Sequence, residues 1–129
     1  MTNQLPAAFE LAAVTADLPA IERLLADDAV LRSPVMPKPY RGREAVMELL
    51  KALSIALDEI RYPEPPMADE AGGRYALQFE AVVDGKVVHG MDVLTVRDGL
   101  IREITVYARP MPALMSLARA VGQAAGAVR

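Results

Sequence analysis

Lys86-Val87-Val88-His89-Gly90-Met91-Asp92-Val93-Leu94-Thr95-Val96-Arg97, then Asp98-Gly99, then Leu100-Ile101-Arg102-Glu103-Ile104-Thr105-Val106-Tyr107-Ala108-Arg109, reads as a long β-hairpin. Two alternating runs rich in β-branched residues, joined by Asp-Gly, are a strong short-range hairpin signal. One parity of the first run is Val88, Gly90, Asp92, Leu94 and Val96. In the second run Ile104, Val106 and Ala108 form the apolar set, opposite Glu103, Thr105 and Tyr107. An aspartate on the inner parity is out of place, because Asp is depleted in strands and costly on an apolar face. Buried without a cation, its pKa rises and it stays protonated, able to donate to a developing oxyanion. The alternative is that the strand flips and Asp92 is solvated or pairs with an arginine. His89, the single histidine, has the opposite parity. It shares a face with Asp92 only if Gly90 forms a bulge, so it is expected on the outer sheet face or at an interface.

The same period extends upstream. In 74–83 the odd set Tyr75, Leu77, Phe79 and Ala81 is apolar, against Gln78 and Glu80. Gly72-Gly73 and Asp84-Gly85 mark turns. Residues 58–69 are strand-like but hold Pro63, Pro65 and Pro66, which cannot donate ladder hydrogen bonds and so predict an edge strand. Before residue 57 the period is 3.6. An Ala-rich helix is predicted over 6–16. A second follows at about 18–26, with Asp17 as its N-cap and Pro19 in its first turn. A third runs over 43–56, with Val46, Leu49, Leu50 and Leu53 as its buried stripe. Asp27-Asp28 is expected to end the second helix, and Ala29 to Ser33 to form a short strand. Residues 34–42 form a loop with three prolines, flanked by Ser33 and Tyr40. A short helix with Leu114, Leu117, Ala118 and Val121 on one side closes the chain, and the tail 122–129 is expected to fray.

Helices followed by an antiparallel meander give an α+β fold in one domain, 1–129. A strongly curved sheet covered on one face by helices leaves a hollow, and such hollows hold ligands. Leu77, Phe79, Leu94, Ile104 and Val106 are expected to line it, with Asp92 at its floor and Ser33 and Tyr40 near its mouth. The net charge is −3 and the basic residues are scattered, which argues against nucleic acid and against a membrane-surface patch. No run of apolar residues is long enough to span a bilayer, and the N-terminus does not read as a secretory signal; a cytoplasmic protein is expected. There is no cysteine, no metal-spaced cluster and no phosphate loop, so no metal or cofactor is expected.

Four stretches carry a family resemblance: Asp27 to Pro34, Tyr40-Arg41-Gly42-Arg43-Glu44-Ala45-Val46, Gly90-Met91-Asp92-Val93-Leu94, and Asp98 to Ile104. Over about 7–118 the chain resembles the nuclear transport factor 2-like superfamily, in its SnoaL-like and ketosteroid isomerase-like branch. The resemblance implies a cone-shaped fold around an apolar pocket and, commonly, a homodimer through the outer sheet face. Here that face would offer Gln78, Glu80, His89, Met91, Thr105 and Tyr107. It also implies catalytic positions. Ketosteroid isomerases carry a tyrosine on the first helix, where this chain has Phe9. They carry an aspartate base before a proline, where it has Ser33 before Pro34. Their protonated strand aspartate corresponds to Asp92. Epoxide hydrolases of the superfamily place an arginine where this chain has Gly90, and SnoaL-type cyclases use a pocket aspartate as acid–base.

Two readings follow. One is an isomerase, cyclase or lyase acting on a small apolar carbonyl or polyketide-like compound, with Asp92 as acid–base or oxyanion donor. The other is a non-catalytic ligand-binding or dimerisation module on the same scaffold: a lone acid would favour binding, and a pocket packed shut by Phe9, Phe79 and the methionines would support a purely structural dimer. A second titratable group within hydrogen-bond reach of Asp92 would favour chemistry.

Overall fold

A computed structural model describes residues 4–127. Helix α1 spans Leu5–Val14, α2 Leu18–Leu24, α3 Arg43–Ala56 and α4 Met111–Ala127. The strands are β1 Leu25–Arg32, β2 Tyr40–Arg41, β3 Asp58–Arg61, β4 Met67–Asp69, β5 Arg74–Val83, β6 Lys86–Arg97 and β7 Leu100–Arg109. They form one curved, unclosed mixed sheet in the order β2-β1-β7-β6-β5-β3, with β4 also on β5. Among the described strands only β1 and β7 run parallel, so the architecture is α+β as the periodicity predicts.

The meander β5–β6–β7 is the frame of the molecule. Leu77 faces Asp92 across one ladder, and Asp92 faces Val106 across the next. Asp84-Gly85 and Asp98-Gly99 join the strands with both residues at positive φ, as a two-residue hairpin turn of matching twist requires. The expected parity holds: Tyr75, Leu77, Phe79, Ala81, Val88, Leu94 and Ile104 are buried. On the opposite face His89 is exposed and its Nδ1 lies 3.4 Å from Glu80 Oε2, while Tyr107 is 62% exposed.

The prolines of 58–69 act as predicted at the sheet edge, and they also divide that run. β3 ends before Tyr62 and Pro63, and β4 starts at Met67. A backbone without donors at 63, 65 and 66 cannot keep one continuous ladder.

Upstream, Asp17 caps α2 by accepting the N–H of Ala20 at 3.2 Å. The second helix stops earlier than the aspartates suggest. β1 already begins at Leu25 and carries Asp27 and Asp28 on an irregular stretch of the β1–β7 ladder. Both aspartates stay exposed there, paired with Arg43 and Arg102. α3 matches its predicted bounds, and α3 and α4 pack on each other beside the sheet. The closing helix, expected to be short, has 17 residues and runs through Gly122 to Ala127, because its Ala-rich end suits a helix and Ala124 is buried. Of the tail expected to fray, residues 128–129 lie outside the described residues. No described helix is long and apolar enough to cross a membrane.

Candidate active site

The inner parity of β6 puts Asp92 beneath the helices, where it is 8% exposed. Among the described residues one side chain hydrogen-bonds to it, that of Tyr62. Tyr62 follows β3, and the next residue, Pro63, biases it toward an extended backbone. Ile60 and Tyr62 are two apart and both face inward. The Tyr62 hydroxyl donates to Asp92 Oδ2 at 2.9 Å. The tyrosine ring is held edge-on to Phe79, with centroids 6.4 Å apart and planes at 61°. Phe79 in turn lies over Gly90. A Cβ at residue 90 would sit 2.3 Å from Phe79 Cζ, so no larger residue fits under the ring.

Above this pair is a cavity of about 100 Å³, space for several waters or a small organic group. α3 supplies Leu49, Leu50 and Leu53 to its wall; Leu50 and Leu53, the partly buried half of the predicted stripe, pack against the core and border the cavity as well. The polar residues of the wall are Ser33, Ser54, Tyr62 and Asp92. Ser33 Oγ accepts the N–H of Val35 at 3.2 Å, and Ser54 Oγ donates to the Lys51 carbonyl at 2.7 Å. Both serines thus serve local turns, and the floor's chemistry belongs to Asp92 and Tyr62.

Burial raises the Asp92 pKa to about 7; the Tyr62 hydrogen bond pulls it back, and the charge of Glu10 pushes it further up. The Tyr62 phenol is itself raised far above its ordinary value, first by burial and then by the Asp92 charge, so it remains a donor at neutral pH. Glu10, next to Phe9 on α1, is raised by burial, and its Oε2 is buried without a hydrogen-bond partner. A carboxyl near pH 7 in an apolar wall can accept a proton and give it back with little free-energy difference.

Of the residues expected at the site, Phe9, Ser33, Phe79, Asp92, Ile104 and Val106 line this cavity together. Leu77, Leu94 and Tyr40 do not. Leu77 and Leu94 are fully buried in the core cluster with Leu25, Leu31 and Ile101, and Tyr40 packs against that cluster from β2. They share the inner face but lie where the helices close onto the sheet and leave no gap. The phenol was not expected at all. With Phe9 in the first-helix position, the resemblance offered no tyrosine, yet Tyr62 brings one from a different element. The alternation Ile60-Arg61-Tyr62 was the available signal.

Comparison with known proteins gives a family. A model of the SnoaL-like domain matches residues 6–104. No functionally curated protein gives a significant match. Among solved structures, the chain is similar to a steroid delta-isomerase from Pseudomonas aeruginosa, with 30% identity and a TM-score of 0.88 over 96% of this chain and 90% of that one. It is also similar to an uncharacterized bacterial protein with a cystatin-like fold from Silicibacter pomeroyi DSS-3, with 27% identity and a TM-score of 0.87 over 95% and 85%. A putative polyketide cyclase from Pseudomonas putida KT2440 shares the fold at 18% identity, with a TM-score of 0.73 over 88% and 96%.

Proposed function

The chain belongs to the SnoaL-like domain family, and from that premise we propose that it is an isomerase- or cyclase-type enzyme acting on a small apolar carbonyl compound. The observation that carries the reading is the Tyr62–Asp92 pair, 2.9 Å apart, on the floor of an otherwise apolar cavity. Asp92 is the proton shuttle. As the carboxylate it takes a proton from the carbon beside the carbonyl, breaking C–H and forming O–H, which leaves an enolate. It then returns the proton to another carbon of the conjugated system, or to the product of an intramolecular closure. Tyr62 keeps the carboxyl oriented through Oδ2 and leaves Oδ1 to face the substrate. The apolar walls hold the carbon skeleton and keep water from the enolate. A steroid delta-isomerase among the similar structures supports an isomerisation of this kind.

The test is conversion of a panel of β,γ-unsaturated cyclic ketones to their conjugated isomers, followed by absorbance. Turnover is expected, and Asp92→Asn should lower it by about 10²–10⁴, the usual contribution of a positioned acid–base group. No turnover across the panel, or turnover that survives in Asp92→Asn, contradicts the reading. Binding without turnover instead supports a ligand-binding module, which is favoured by one observation: among the described residues no second base stands in the wall beside Asp92.

A further inference from the structure

The chain has 2 phenylalanines, 4 tyrosines and no tryptophan. Both phenylalanines and one tyrosine line the same cavity as Asp92: Phe9 from α1, Phe79 from β5 and Tyr62 after β3. A chain so poor in aromatic rings has gathered three in the wall of the cavity that holds this carboxyl. Tyr62 and Phe79 meet at 61°, so they form adjoining walls rather than a parallel stack. Among the described residues of the wall there is no lysine, arginine or histidine. The carboxylate form of Asp92 therefore has no countercharge among the described residues of the wall, and Glu10 adds a second negative charge nearby. An anionic ligand would be repelled. A positive charge clothed in alkyl groups satisfies all three features: it neutralises the acid, it lies against ring faces, and its carbons suit the apolar wall.

We propose that the cavity binds small apolar ammonium ions, tertiary or quaternary amines, with the Asp92 carboxylate as counter-ion and Phe9, Tyr62 and Phe79 as the aromatic walls. This goes beyond the carbonyl reading and shares with it only the open cavity. The two ligand classes make different use of one group. With a carbonyl compound the carboxylate takes up a proton and gives it back; with an ammonium ion it stays ionised as the counter-ion.

The groups around Asp92 set the pH dependence. Tyr62 and Glu10 are the ionisable ones. The flanking strands place Leu77 and Val106 opposite it, and the cavity-lining residues of α3 and α4 are apolar apart from Ser54. Ammonium binding should follow the ionised fraction of Asp92. With a midpoint near 7, that fraction falls to about 3% at pH 5.5, which weakens apparent affinity roughly 30-fold from pH 8.5.

The experiment is calorimetric titration with choline and with its neutral carbon analogue, 3,3-dimethyl-1-butanol, at pH 8.5 and 5.5. Choline is expected to bind at least about tenfold tighter than the alcohol at pH 8.5 and to lose that advantage at pH 5.5, while the alcohol is indifferent to pH. Asp92→Asn should erase the preference and keep alcohol binding, which also reports an intact cavity. Glu10→Gln should keep the preference and move its midpoint to lower pH. Equal affinities at pH 8.5, a preference that survives in Asp92→Asn, or choline binding that does not weaken by pH 5.5 overturns the proposal. The last result needs only the wild-type protein. Alcohol binding without a choline preference overturns it while leaving the carbonyl reading intact, whereas failure of both probes removes the open cavity on which both depend.

Discussion

Replacing Asp92 with asparagine should stabilise the protein at alkaline pH, even as it removes the group proposed to do chemistry. The carboxyl titrates near 7 in the folded chain, against about 3.9 when unfolded. A raised acid means that the folded state holds this proton more tightly than the unfolded state does. Between about pH 4 and 7 the folded state binds more protons, so stability falls as pH rises through that window. Below it both states are protonated and the difference vanishes. Above it the folded state carries a buried, unneutralised carboxylate. About three pH units at roughly 1.4 kcal/mol each amount to on the order of 4 kcal/mol. Asparagine does not titrate, keeps the volume, and leaves an oxygen to accept from Tyr62. The assay is urea unfolding of both proteins from pH 4 to pH 9, read as the difference between them so that all other groups cancel. The difference should grow by about 4 kcal/mol in favour of asparagine and level off above pH 8. Parallel curves would refute the reasoning, since they would mean that Asp92 ionises as easily folded as unfolded.

Tyr62→Phe removes one hydrogen-bond donor and keeps the ring against Phe79. A hydrogen bond to a charged group contributes about 1.5–3 kcal/mol, so the Asp92 midpoint should rise by about one to two pH units, measured by carbon-13 NMR of the carboxyl. A midpoint that stays or falls would show that Tyr62 does not stabilise the carboxylate. Gly90→Ala puts a methyl 2.3 Å from the Phe79 ring and 2.8 Å from the Tyr107 carbonyl oxygen, so the ring must leave its seat. A loss of about 1–3 kcal/mol by urea unfolding is expected, together with weaker ligand binding; unchanged stability would mean the ring has another place to go.

The fold was legible because its signals are local. Two Asp-Gly turns and three alternating runs define β5, β6 and β7, and a 3.6-residue stripe defines α3 to the residue. Asp92 was legible for the same reason, as a polar residue on an apolar parity. Tyr62 was not, because the prolines after it signal only a sheet edge; its partner lies 30 residues away, and nothing local says that the segment after β3 folds back over β6. β1 was foreseen too short. Asp27 and Asp28 look like helix terminators, whereas a ladder irregularity and two arginines from other elements hold them on a strand. Leu77 and Leu94 show the remaining limit. Parity separates inside from outside, but whether an inward side chain meets a cavity or the core depends on where the helices settle.

The Asp92 carboxyl carries the account, and its titration tests the account most directly. In wild-type protein labelled with carbon-13 aspartate, with Asp92→Asn identifying the resonance, the carboxyl shift should follow a single step centred near pH 7. A step in the ordinary aspartate range, around pH 4, would place Asp92 in water or beside a cation and contradict the buried, tyrosine-held acid described above.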